Sequence, residues 1–235
     1  METLRATVMT HRGAVRENNE DSVVIGPFTL CGVSQPDPVV CELPLSAPTL
    51  VAVADGMGGH AAGALASAHA VRSLAVTPPQ DEPGLAAALD RIDQDLLAMS
   101  KEDPTIAGLG TTVAGLLLTP EGGLRFGAGD SRVYVQYGDY LAQVSVDDRS
   151  PTGGLTKCLG GRSEGAPLNP AVEPMSNYDQ ILLCSDGLSD LVPTKSIEEI
   201  LKAPQDSTRK LKSLWAAAMN ASGNDNITVI LLERK

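Results

Sequence analysis

Twice in this 235-residue chain an apolar run ends in Asp-Gly: Leu50-Val51-Ala52-Val53-Ala54 leads into Asp55-Gly56, and Ile181-Leu182-Leu183-Cys184-Ser185 into Asp186-Gly187. Each pattern puts a carboxylate at the tip of a strand. A third acid, Asp130, follows Phe126-Gly127-Ala128-Gly129, and a fourth, Asp225 in Asn224-Asp225-Asn226, precedes the apolar run that begins at Ile227. If these strands are neighbours the four carboxylates converge, and converging carboxylates repel unless they are protonated or bridged by cations. An all-oxygen donor set favours hard ions such as Mg²⁺ or Mn²⁺ over zinc, so the chemistry indicated is hydrolysis at a two-metal site. A lone Asp-Gly commonly marks nothing more than a turn, and four separate strand-end aspartates weigh against that reading. The run Asp55-Gly56-Met57-Gly58-Gly59-His60 could instead cradle phosphate, but it lacks the Lys-Ser/Thr of a P-loop and the spacing of a dinucleotide fingerprint.

The elements that must hold these acids are legible as strands over 5–9, 22–25, 50–54, 113–118, 124–128, 132–136, 181–184 and 227–232. Leu85, Leu89, Ile92, Leu96 and Met99 recur at helical spacing with Asp90, Asp93 and Asp95 between them, which predicts an amphipathic helix with a polar opposite face. A helix is expected over 61–74, and another around Leu211, Leu214, Trp215 and Ala218, with Ser207 as its N-cap and Gly223 beyond its end. Strands in groups and consecutive central helices argue for an α+β layered fold with mainly antiparallel sheets. The stretch from Pro36 to Pro48 reads as a long surface loop.

Composition narrows the function. With 29 acidic and 18 basic residues the formal charge is −11, which repels nucleic acid and anionic lipid surfaces. No apolar run approaches the ~20 residues of a membrane-spanning helix, and the N-terminus lacks a basic stretch followed by an apolar block. A soluble, cytoplasmic protein is expected, with no nucleic-acid or membrane partner. Aromatics make up only 3% of the chain, so the core must be built from small aliphatic side chains. The four cysteines form no Cys-x-x-Cys pair; Cys184 reads as a buried strand residue, and a Cys31–Cys41 bridge is disfavoured in a reducing compartment.

Arg16-Glu17-Asn18-Asn19-Glu20-Asp21, Asp55-Gly56-Met57-Gly58-Gly59-His60, Gly110-Thr111-Thr112, Gly129-Asp130-Ser131-Arg132, Ser185-Asp186-Gly187-Leu188-Ser189-Asp190 and Asn224-Asp225-Asn226 resemble, in order and over essentially the whole chain, the motifs of the metal-dependent (type 2C) serine/threonine protein phosphatases in their bacterial form. The resemblance implies one catalytic domain over 1–235, a β-sandwich of two antiparallel sheets flanked by pairs of helices, and hydrolysis of phosphoserine and phosphothreonine on proteins. It further implies two tightly held Mn²⁺ or Mg²⁺ ions and a third, weaker one. By motif position Asp55 resembles the carboxylate bridging two metals, Gly56 the residue that offers its carbonyl, and Asp186 and Asp225 the acids completing the second metal's ligands. Glu20 resembles the residue holding a water on the metal, Asp21 the one orienting the nucleophilic water, and Arg16 the phosphate clamp. Asp130 resembles a third-metal ligand, with Asp186 or Asp190 beside it. The implied partners are phosphorylated proteins and a cognate Ser/Thr kinase, by analogy including kinases that accompany type VI secretion, with the phosphatase a monomer. His60 and His69 are expected on the helix after the glycine run, and His60 is not favoured as a general acid.

The chain departs from the bacterial pattern at two places. Where many members carry Asp-His-Ser and then a flap of some tens of residues, this chain has Asp148-Arg149-Ser150 and runs almost at once into Leu155-Thr156-Lys157-Cys158-Leu159-Gly160. The segment from Phe28 to Pro48 is longer than a hairpin requires and is expected to face a partner. Two other functions fit the same pattern: a non-catalytic phosphoprotein-binding module, which would be expected to have lost a metal carboxylate, and a hydrolase of small phosphate esters.

Overall fold

The computed structural model describes residues 3–58, 61–119, 122–161, 168, 170–175 and 178–234. The chain runs β1 (Thr3–His11), β2 (Asp21–Ile25), β3 (Phe28–Cys31), β4 (Val39–Pro44), β5 (Thr49–Met57), α1 (Ala61–Val76), α2 (Glu82–Glu102), β6 (Gly110–Thr111), β7 (Val113–Thr119), β8 (Gly122–Ala128), β9 (Arg132–Tyr137) and β10 (Tyr140–Gln143). It continues through β11 (Leu159–Gly160), β12 (Ala171–Met175), β13 (Gln180–Cys184), α3 (Asp186–Ser189), α4 (Thr194–Lys202), α5 (Ser207–Ala221) and β14 (Ile227–Arg234). One sheet has the order β10-β9-β13-β14-β1-β4; in the other, β11-β6-β5-β7-β8-β12, strand β2 pairs with β5 and β3. The recorded strand pairs are antiparallel, as expected for an α+β sandwich.

Alternation along the strands explains the layers. On β5, Val51 and Val53 join Val8, Ile25, Leu183, Ile230 and Leu232 in a core between the sheets, while Leu50, Ala52 and Ala54 turn to Ala66, Ala70, Leu89, Ile92 and Leu96 of α1 and α2. On β13 and β14, Leu182, Val229 and Leu231 face a third core with Leu211, Leu214 and Ala218 of α5 and Ile197 and Leu201 of α4. Strands buried on both faces read as unbroken apolar runs, which is why these were visible in the sequence. Each fully buried Val, Leu or Ile contributes about 1.5–3 kcal/mol relative to exposure. Small residues let α1 lie close on β5, so few rings are needed.

Several expectations are corrected. Residues 36–48 are not simply a loop: β4 pairs with the edge of β1, Cys41 opposite Ala6. Cys31 pairs across from Ser22 in the other sheet, and all four cysteines are free, Cys184 fully buried. Asp93 does not lie on a solvated face; it is 1% exposed and accepts a 2.9 Å hydrogen bond from Gly160 N. The N-cap of α5 is Asp206, whose carboxylate accepts from Arg209 N at 2.9 Å, and Ser207 is the first helical residue. Gly223 does follow that helix, with φ +56° and its N–H bonded to Ala218 O. No helix among the described residues is long and apolar enough to cross a membrane.

Candidate active site

The core between the sheets changes character at one end without changing its rows. Asp55 continues the Val51–Val53 face of β5, and Asp21 continues the Ile25–Val23 face of β2, so the two acids stand directly opposite in the β2–β5 register. From the other sheet, Ser185 continues the Ile181–Leu183 row of β13 and Thr228 the Ile230–Leu232 row of β14. The Ser185 hydroxyl donates to Asp21 Oδ2 at 2.8 Å and accepts from Thr228 N at 3.0 Å. Asp186 follows on the first turn of α3, and Asp225 stands two residues before β14. Because β13 ends where β14 begins, two antiparallel neighbours deliver both acids to the same edge.

A cleft of about 320 Å³ opens there, lined by Arg16, Glu20, Asp55, Gly56, Thr112, Asp130, Leu155, Asp186, Asp225 and Asn226 among others. Seven of the eight residues singled out by sequence thus share one cleft; Asp21, 1% exposed, lies behind its wall. His60 and Gly59 lie outside the described residues. His69 is elsewhere, its Nε2 3.2 Å from Asp95 Oδ2 between α1 and α2.

Close backbone packing fixes the segments that carry the acids. A Cβ on Gly56 would stand 2.1 Å from Gly63 O in α1, and one on Gly63 2.0 Å from Glu20 Oε2, so only glycines let strand, helix and Glu20 meet. Gly13, with φ +78°, approaches Asp225 O so closely that a Cβ would lie 2.1 Å away. Thr112 closes the other side, its hydroxyl accepting from Asp55 N at 3.1 Å and its own N–H donating to Asp55 O at 2.9 Å.

Sequence reasoning assigned no role to Asn226 or Ser185, although both were within the quoted motifs. Asn226 Oδ1 accepts from Glu20 N at 2.7 Å, while its Nδ2 donates to Arg12 O and Asn18 O at 3.0 and 2.9 Å. It therefore clamps the segment that carries Arg16 and Glu20. A short polar side chain beside Asp130, Asp186 and Asp225 was the available signal. Arg149 was also missed: it pairs with Asp130, with Asp186 Oδ2 at 3.0 Å and with Asp190 Oδ2 at 2.8 Å.

The electrostatics follow from crowding acids in a buried edge. Burial, then Asp186 and Asp225, push the Asp21 carboxyl up to about 7 against the lowering effect of the Thr228 and Ser185 hydroxyls. Burial and then Asp21, Asp186, Asp225 and Asp130 hold Asp55 well above the usual carboxylate range. Burial, followed by Asp130, Asp225 and Asp190, brings Asp186 to about 6. No three acids among the described residues are gathered into a finished ligand set; Arg16 Nη2 engages Asp225 Oδ2 at 2.8 Å, and Arg149 stands between Asp130 and Asp186. The donor chemistry nevertheless suits divalent hard cations. It is all oxygen, its charges destabilise one another, and Asp21 Oδ1 is buried with no hydrogen-bond partner.

Comparison with known proteins points the same way. The protein phosphatase 2C family model matches residues 43–231. The chain is 30% identical to the serine/threonine phosphatase stp of Listeria monocytogenes serotype 4b, over 98% of this chain and 96% of that protein. The crystal structure of the catalytic domain of serine threonine protein phosphatase PstP in complex with two manganese ions superposes with a TM-score of 0.78 and 30% identity, covering 100% of this chain and 99% of that one. PppA, described as a key regulatory component of type VI secretion in Pseudomonas aeruginosa, gives a TM-score of 0.79 at 25% identity, with both chains covered completely. A match spanning most of the sequence, on a sandwich whose acid edge gathers the expected motifs, makes this chain a member of the protein phosphatase 2C family.

Proposed function

We propose that residues 1–235 act as one catalytic domain that hydrolyses phosphoserine and phosphothreonine esters on proteins, with Mn²⁺ or Mg²⁺ bound at the acid edge of the sandwich. The observation that carries this reading is the gathering of Glu20, Asp55, Asp186 and Asp225 in one cleft with Arg16 at its rim. Asp55, Asp186 and Asp225 would hold two ions together with the Gly56 carbonyl and Glu20, and such a pair supplies an activated water and offsets phosphoryl charge.

The side chains have separate tasks. Arg16, 52% exposed, keeps its guanidinium accessible at the rim, where a planar fork can grip two oxygens of a phosphate dianion. Asp21 orients the attacking water and accepts its proton at Oδ1, the oxygen left free when Ser185 holds Oδ2. Ser185, Thr112 and Asn226 position these groups without touching substrate. We read the protein as a cytoplasmic, monomeric phosphatase opposing a cognate Ser/Thr kinase, and the PppA likeness supports a setting such as type VI secretion.

The test is phosphate release from phosphothreonine, phosphoserine and phosphotyrosine peptides, and from p-nitrophenyl phosphate, with Mn²⁺, Mg²⁺ or chelator. Metal-dependent release from the phosphothreonine and phosphoserine peptides is expected. No release from any peptide would favour a binding module, and faster turnover of the small ester than of the peptides would favour a small-ester hydrolase.

A further inference from the structure

Two groups of acids stand apart at the edge. Asp21 and Asp55 face each other on neighbouring strands, whereas Asp130, Asp186 and Asp190 surround one guanidinium. Arg149 Nε donates to Asp130 Oδ2, and Arg149 Nη2 lies 3.0 Å from Asp186 Oδ2 and 2.8 Å from Asp190 Oδ2. Arg132 Nη2, committed to Asp147 at 2.7 Å, borders Asp190 Oδ1 at 3.8 Å.

This placement is built rather than incidental. Asp148 pins the turn to β8's exit: its N–H donates to Gly129 O at 2.9 Å, and its Oδ2 accepts from Gly129 N at 3.1 Å. Asp148 O accepts from Thr156 N at 2.7 Å, and Lys157 Nζ lies 2.9 Å from Asp148 Oδ1. Between these anchors the chain closes a tight turn, Ser150 N donating to Gly154 O at 2.8 Å, with Gly153 at φ +89°. The stub of the shortened flap is thereby a clip that carries Arg149 onto the three carboxylates. Asp130 is 7% exposed at its side chain, so its charge needs a near neighbour of opposite sign.

We infer that Arg149 is the resident cation of the Asp130–Asp186–Asp190 group and excludes a third metal ion from it, so that this chain binds two ions and not three. The inference rests on the two-metal reading above. A guanidinium tethered by its own backbone is present at high effective concentration, and a weakly held divalent ion must displace three charge-assisted contacts to enter. Both recorded contacts to Asp130 and Asp186 use Oδ2, so Asp186 keeps Oδ1 for the metal pair.

Equilibrium dialysis against Mn²⁺ with elemental analysis reads this directly, with folding checked by circular dichroism. Wild type is expected to saturate at two equivalents and Arg149→Gln to gain one more. Adding Asp190→Asn to Arg149→Gln should remove the gained equivalent, while Asp190→Asn alone should leave the count at two. Three equivalents in wild type, which needs no variant to fold, would overturn the inference and leave the phosphatase reading intact. So would a folded Arg149→Gln that stays at two or falls below it. No Mn²⁺ bound by wild type would overturn the metal reading itself, and this inference with it.

Discussion

The layer between the two sheets is hydrocarbon along most of its length and acid at one end, yet both parts occupy the same alternate positions of the same strands. Val53 and Asp55 are two residues apart on one face of β5, and Leu183 and Ser185 hold the same relation where β13 ends. At the apolar end every neighbour gains by contact. At the acid end the neighbours raise one another's pKa, so the folded chain holds charge there against its own stability. Stability and chemistry are thus separated by about two residues of strand, and substitutions on either side should have opposite signatures.

Asp55→Asn should give the largest change. If Asp55 holds metal as proposed, its loss is expected to lower kcat by at least about a hundredfold, as for loss of a major charge-stabilising group. The melting temperature of chelator-treated protein should stay the same or rise, because a repelling charge is gone. Near-normal turnover in purified, metal-exchanged Asp55→Asn would break the comparison. Leu183→Ala makes the opposite change, costing about 2–5 kcal/mol of stability by denaturant titration. Turnover of its folded fraction should remain within about twofold of wild type.

The pH dependence of chelator-treated protein sharpens the same contrast. Asp21 and Asp186 are raised to about 7 and about 6 from 3.8, so between those values the native state binds more protons than the unfolded chain. Stability from these groups is therefore full below about pH 4 and lost as pH rises through about 6 and 7. Saturating Mn²⁺, which needs the deprotonated acids, should oppose that loss. A melting temperature that climbs steadily from pH 4 to 7 without metal would contradict the crowded-acid account.

Legibility in the sequence followed the same division. Strands buried on both faces announced themselves as apolar runs, and the strand-end aspartates stood out against them. Val39–Pro44 did not, because an edge strand with Val39 and Val40 exposed is defined by its pairing with β1 and by no pattern of its own. Gly110–Thr111 and Leu159–Gly160 are too short to carry a period. The α4 stripe of Ile197, Ile200 and Leu201 was present but spans only nine residues. At the site, the strand-end acids that line the cleft were readable from type and position. The clamps Asn226 and Thr112, and Arg149 on its pinned turn, depend on contacts between segments far apart in sequence.

Arg16→Ala tests the rim with a smaller effect. Its guanidinium would contact phosphate in both ground and transition states, so KM should rise several-fold while kcat falls less. Bound Mn²⁺ should be unchanged, since Arg16 supplies no ligand. Loss of metal in this variant would instead assign its 2.8 Å contact with Asp225 to holding that acid in place.

The smallest effect is expected from Ser185→Ala, at the junction where the apolar row becomes polar. The Ser185 hydroxyl, buried completely, stabilises the charged form of Asp21 through the 2.8 Å bond to Oδ2. Without it only the Thr228 hydroxyl still lowers the Asp21 pKa, and the carboxyl should titrate higher than in wild type. If Asp21 takes a proton from water in the reaction, it works only when deprotonated, so the acid limb of the kcat/KM profile should move to higher pH. The displacement should be at most about one to two units, since a hydrogen bond to a charged group contributes about 1.5–3 kcal/mol and a pKa unit corresponds to about 1.4 kcal/mol. Activity well above the shifted limb should approach that of wild type. An unmoved limb with uniformly lower activity would mean that Ser185 serves the β13–β14 backbone through Thr228 N, and that the polar end begins one residue later than this comparison places it.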